Sequence, residues 1–237
     1  MRLIMAGPSL VAVALLLALP AGAAASSQKA LAILAEIKAA SGGDAWDKVT
    51  GWHETGEHDG IAYETELDLQ RYGMVSRSTR DGKTSVAGYD GRTAWRIGPD
   101  GTVDASQDPA RLADARQSAY ASAYLFFMPD RFPATFSYVG ERDNAGRHFD
   151  VVDIQPQDSK PMEIWVDRDS HLITRLVDPT ASPPLSAEAS DFRDVGGGVV
   201  VPFQLVVTDG VHTQTAHVSA ITLGPLPRSD FAPPPPN

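Results

Sequence analysis

The chain has 237 residues, 43% of them hydrophobic, enough to bury a sizeable core in one or two domains. Its 20 basic against 30 acidic residues give a net charge of −10, which argues against nucleic acid or an anionic membrane surface as partner. It contains no cysteine, so neither a disulfide staple nor a cysteine-borne lipid anchor is expected.

Residues 1–25 read as a secretory signal peptide. Arg2 precedes an apolar run over residues 10–19, too short to span a bilayer comfortably, and Ala23-Ala24-Ala25 supplies a cleavage signal. An uncleaved anchor is the competing reading. Cleavage near Ala25 leaves 19 basic residues against 30 acidic ones, and the expected location is the periplasm, without stable membrane insertion.

Ser26-Ser27 is placed to cap a helix over 28–41, with Ala30, Ile33, Leu34, Ile37 and Ala40 as its apolar stripe and Gly42-Gly43 as its stop. Asp44 is expected to cap one further turn over 44–49. From there the period changes. Five Asp-Gly pairs (59–60, 81–82, 90–91, 100–101 and 209–210) punctuate alternating runs, which signals hairpins. Strands are predicted at 51–58, 61–70, 73–80, 83–89 and 92–97. The second alternates cleanly: Ile61, Tyr63, Thr65, Leu67 and Leu69 fall on one face, Glu64, Glu66 and Asp68 on the other.

A long helix is predicted over 108–132. Asp108 is its N-cap and Pro109 suits its first turn, while Leu112, Ala115, Ala119, Ala123 and Phe126 recur at helical spacing. Tyr120, Tyr124 and Phe127 widen that face, so its second half calls for a large apolar concavity. Strands resume at 136–142, 148–155, 162–167, 172–177, 187–195, 199–208 and 211–223, and Pro202 marks an edge or bulge. Residues 231–237, with four consecutive prolines, are expected to be a loose tail. No linker separates two domains, so 26–230 is read as one domain. The expected class is α+β, mainly β: one curved antiparallel sheet with helices on one face.

Read in order, SGGDAWDKV, YDGRTAW, AYASAYLFFMPDRF, MEIWVDRDSHLITR and VVVPFQLVVTDG give the chain a specific likeness. It resembles the periplasmic lipoprotein-carrier (LolA/LolB-like) superfamily, in particular outer-membrane lipoprotein-sorting-like proteins. It is also similar to the module preceding some retropepsin-like aspartyl protease domains, but no Asp-Thr-Gly or Asp-Ser-Gly occurs. The resemblance implies an open, strongly curved antiparallel half-barrel whose concave face is plugged by helices and holds acyl chains or other apolar ligands. Leu67, Leu69, Trp95, Tyr120, Tyr124, Phe127 and Trp165 are the candidate cavity residues. Trp165 is ambiguous, because Met162, Ile164 and Val166 already supply one apolar face of its strand.

The histidine-rich string His53 to His58 does not suit a metal by itself. At roughly 3.3 Å per residue, His53 and Glu57 on a strand lie about 13 Å apart, and His58 falls on the other face. No nucleophile elbow, phosphate loop or dinucleotide fingerprint is present, and the three glycines at 196–198 serve a hairpin turn. Glu64 and Glu66 read as a solvated outer face. No catalytic residue, metal or cofactor is therefore assigned. The leading function is a non-catalytic carrier or binder of a hydrophobic small molecule, acyl chain or lipoprotein, expected to be a monomer. A sensor or scaffold for a protein partner comes second, and a hydrolase is a distant third.

Overall fold

The computed structural model describes residues 26–235; the signal-peptide reading and the last two residues of the tail lie outside that range. Strands β1 (Gly51–His58), β2 (Ile61–Asp68), β3 (Gly73–Arg80), β4 (Lys83–Asp90), β5 (Ala94–Ile97) and β6 (Val103–Ser106) form a first meander. A second contains β7 (Ala134–Asn144), β8 (Arg147–Pro156), β9 (Met162–Asp167), β10 (Ile173–Asp178), β11 (Leu185–Asp194), β12 (Val200–Thr208) and β13 (Thr213–Leu223).

The two meanders join through antiparallel pairing of β1 with β13, in which Trp52 faces Leu223 and Glu54 faces Ile221. The result is one thirteen-stranded sheet in the order β6-β5-β4-β3-β2-β1-β13-β12-β11-β10-β9-β8-β7. It does not close, and its architecture is an open, curved half-barrel of the α+β class. The turns behave as the sequence indicates. Asp59 (φ 50°) and Gly60 (φ 75°) form a two-residue link of the primed kind, whose left-handed residues match the twist of flanking strands. Pro202 pairs with Phe192 of β11, while β12 pairs with β13 only from Gln204 onward, so the proline sits where no second ladder needs its missing N–H.

Helix α1 (Gln28–Ala40) is capped by Ser27, whose Oγ accepts the Ala30 N–H, and it buries Ala30, Ile33, Leu34 and Ile37. Ser26 and Ser27 also hydrogen-bond Phe136 and Tyr138 on β7, covering part of that exposed edge. A 3₁₀ turn at Gly43–Lys48 follows, with Asp44 inside its first turn rather than at its cap.

Strands β6 and β7 are opposite edges of the sheet, so the segment between them must cross it. Helix α2 (Pro109–Ser122) does so, with Asp108 as N-cap. It is held from both sides: Arg116 Nε donates to Tyr89 Oη on β4 (3.2 Å), and Gln117 Nε2 to the Pro161 carbonyl before β9 (2.8 Å). Two expectations are corrected. The helix ends at Ser122, not near Phe132. Tyr124 turns left-handed (φ 51°, ψ 39°), and Leu125–Phe127 form a separate 3₁₀ turn in which all three residues are buried. Helical spacing persists through this break because the buried aromatics pack on several sides, which a one-face pattern cannot distinguish. Second, Phe231 is not loose: it ends a 3₁₀ turn (Arg228–Phe231), is 2% exposed, and packs with Val75 and Trp95.

Candidate functional site

The sheet has two unlike faces. The concave one carries the main core, in which Trp46, Trp52, Leu67, Leu69, Tyr120 and Leu125–Phe127 meet α1, Phe136, Ile154 and Ile164. A cavity of about 270 Å³ remains in that face beneath the C-terminal end of α2. Its roof is Ala121, Ser122 and Tyr124; its walls come from Trp52, Leu67, Met74, Ile173, Leu176, Pro202 and Leu205. Ala187 and Ala189 of β11 complete it, and together with Ala121 these short side chains are what leaves the space. Met74, Tyr124, Leu176 and Leu205 are only half-buried, so apolar surface is still available there.

One carboxyl intrudes. Glu54 follows Trp52 at strand spacing and therefore shares its face. Tyr63 Oη donates to Glu54 Oε1 at 2.7 Å, and Trp52 Nε1 donates to Oε2 at 3.1 Å. Burial pushes the carboxyl above its ordinary range, and these two donors pull it partly back. The phenols of Tyr63 and Tyr124 are likewise pushed up, first by burial and then by the charge of Glu54. Arg175 also borders the cavity, but its guanidinium pairs with Glu188 and lies 4.7 Å from the Trp165 ring centroid.

Of the seven cavity residues expected from sequence, Leu67 and Tyr124 line this space. Leu69, Tyr120 and Phe127 belong to the packed core around it. Phe127 instead borders a wider surface groove of about 790 Å³ between α1 and the turn after Phe127. Lys38, Asp47, Asp130 and Arg131 rim that groove, which makes its mouth polar. Trp95 and Trp165 are on the outer face. Trp95 lies over Gly88 with its Nε1 donating to the Phe231 carbonyl (3.0 Å), and Trp165 packs at a tilt against Phe149 (ring centroids 5.6 Å apart) and donates its Nε1 hydrogen to Glu163.

The outer face also carries the acidic pair. Glu64 meets His53 Nε2 at 2.6 Å and Glu66 meets Arg77 Nη1 at 2.7 Å, so both have cationic or donor partners rather than water alone. The ligand atoms of His53, Glu64 and Glu66 lie within 4.8 Å of one another, a grouping across strands that along-strand spacing could not reveal. Arg77, also 4.0 Å from Glu64, supplies positive charge to the cluster.

No protein-family model and no curated protein matches the sequence. Solved structures do. A LolA superfamily protein from Nitrosomonas europaea superposes with a TM-score of 0.55 at 10% identity, over 86% of this chain and 97% of that one. The chain has the fold of the LolA superfamily. An outer membrane lipoprotein-sorting protein domain from Vibrio parahaemolyticus gives 0.53 at 12% identity, over 86% of this chain and 96% of the other. A DUF1329 family protein from Desulfovibrio piger gives 0.52 at 14% identity, over 87% and 98%. At such identities the backbone is shared and the side chains are not, so the LolA-like scaffold carries a cavity whose lining is this chain's own. Among the described residues, no helix is long and apolar enough to cross a membrane.

Proposed function

We propose that the protein is an exported, periplasmic binding protein that holds one hydrophobic chain in the cavity under Tyr124, without chemical conversion. The observation that carries this reading is the half-buried apolar lining of the 270 Å³ space beneath α2. An unfilled apolar concavity with a few polar groups is the ordinary form of a small-molecule site. At about 30 Å³ per water-sized group, it admits about nine such groups, which suits a single chain rather than a two-chain lipid. In this reading Leu67 and Tyr124 contact ligand, and Leu69, Tyr120 and Phe127 give the site its rigid backing.

Binding is preferred to catalysis because the cavity's polar groups pair with one another instead of setting a nucleophile beside its base. Both oxygens of Glu54 accept hydrogen bonds, and Thr65 Oγ1 donates to Ser76 Oγ at 3.2 Å. The hydroxyl that touches Glu54 is the Tyr63 phenol, which burial and the Glu54 charge keep protonated, so it offers no activated nucleophile. The shared LolA fold agrees with a carrier, and transport of lipid or lipoprotein toward the outer membrane is the process we infer it serves.

The test is titration with N-phenyl-1-naphthylamine, an uncharged probe that brightens in apolar surroundings. The wild type is expected to bind it saturably. Ala187→Phe, which fills the cavity from β11, is expected to weaken binding by about tenfold or more, the equivalent of about 1.4 kcal/mol. Saturable binding that Ala187→Phe leaves unchanged refutes this site; no binding refutes the function.

A further inference from the structure

Glu54 gives the cavity a polarity that an acyl-chain carrier does not need. It sits on the concave face of β1, paired across to Thr65 on one side and Ile221 on the other, and borders a space walled mainly by apolar side chains, with Thr65, Ser122 and Arg175 as its other polar neighbours. An ionised carboxylate offers about four lone-pair positions. Tyr63 and Trp52 use one on each oxygen, and both are neutral donors, so two positions and the whole charge remain. The cation bordering the cavity, Arg175, is committed to Glu188. His53, the neighbour of Glu54 in sequence, points to the opposite face and meets Glu64. A desolvated charge without a counter-ion is costly, and the cost falls when a ligand brings the missing cation.

The geometry points to a ligand that is a single-chain amphiphile ending in a primary ammonium group, its head on Glu54 and its chain against Trp52, Leu67, Met74 and Tyr124. This inference rests on the reading of the cavity as a chain-binding site and adds the chemistry of the head. An ammonium presents three donors and a positive charge, which matches the unused acceptor positions. A fatty acid or a phosphate-headed chain would instead bring an anion to an anion. Charge-assisted hydrogen bonds are the strong ones, and losing one here is expected to change affinity by roughly tenfold to a hundredfold.

The experiment is calorimetric titration of the full mature chain with decylammonium, decanol and decanoate, each below its micelle concentration, at neutral pH and moderate salt. Decylammonium is expected to bind about tenfold or more tighter than decanoate, with decanol between them. Glu54→Gln should abolish that order. Glu57→Gln, an exposed carboxylate on the same strand that changes net charge equally, should preserve it. Equal or tighter binding of decanoate by the wild type overturns the inference, as does a Glu54→Gln variant that keeps the order. If decanol and decanoate bind while decylammonium does not, the head assignment falls and the chain-binding reading stands. If none of the three binds, both fall. The head-group series on the wild type needs no variant, so the inference remains refutable even if Glu54→Gln does not fold.

Discussion

Tyr124 allows the central break to be tested by comparing two substitutions at one position. Tyr124→Ala and Tyr124→Gly remove the same ring, which lies 5.3 Å from Trp46, 6.3 Å from Trp52, 5.6 Å from Phe126 and 6.0 Å from Phe127. That shared loss should be about 3 kcal/mol, the low end for an aromatic truncation, because one flank already faces the cavity. It cancels between the two variants, leaving the backbone term. At φ 51° an L-residue costs about 1–2 kcal/mol that glycine does not, while glycine loses about 0.5–1 kcal/mol of chain entropy. Glycine is therefore expected to be the more stable variant by about 0.5–1 kcal/mol. In an uninterrupted helix the sign reverses, with glycine worse than alanine by about 1 kcal/mol. In urea unfolding, with a slope of about 2–3 kcal/mol/M, the glycine variant's midpoint should lie about 0.3 M above the alanine variant's. A midpoint lower by that amount would refute the left-handed turn and restore a helix running through residue 124.

Two further outcomes follow from particular residues. Burial raises the folded-state pKa of Glu54, so the native protein holds that proton more tightly than the unfolded chain, and stability falls as pH rises through the interval between the two values. Glu54→Gln, which has no charge to bury, should be the more stable form in urea at pH 7 and lose that advantage by about pH 4, near the ordinary glutamate value. An advantage independent of pH would show that the charge is not the cause. Phe231→Ala should cost about 3 kcal/mol, because the ring is 2% exposed against Val75 and Trp95; a loss near zero would mean the C-terminal turn is not docked.

How much of this was legible depends on where the information is local. The hairpins were, because Asp-Gly readily takes the positive φ that tight turns need, at both residues in 59–60 and 81–82 and at the glycine in the other three pairs, and only short-range chemistry is needed to place them. Strand β6 is not legible, because Val-Asp-Ala-Ser offers one large apolar residue and only two cycles of alternation. Glu54 was within reach: the Asp59-Gly60 turn pairs His58 with Ile61, and counting back along both strands sets Glu54 opposite Thr65, on the Leu67 face. The remaining walls were not. Leu176, Ala187 and Leu205 reach the same cavity only because β1 pairs with β13, a contact across most of the chain that no turn encodes. Trp95 and Trp165 attract attention by size, yet strand parity puts both on the outer face.

The break at Tyr124 also explains why this scaffold has a cavity at all. A helix over the 25 residues from 108 to 132 would be about 37 Å long at 1.5 Å per residue, whereas α2 has 14 residues and spans about 21 Å. The chain instead turns down at Tyr124, sending Leu125, Phe126 and Phe127 into the core beside Trp46. The helix thus ends over the middle strands with Ala121 and Ser122 as its last two residues, and short residues above Ala187 and Ala189 cannot fill what lies between. A left-handed tyrosine costs on the order of 1–3 kcal/mol and persists only where surrounding contacts over-determine it. Here the four aromatic neighbours of its ring and the three buried residues after it do so. The same conformation that anchors the aromatic core therefore withholds side chains from the adjoining space. Stability and open space arise from one residue, and this is why the candidate site lies against the buried aromatic cluster of Trp46, Phe126 and Phe127.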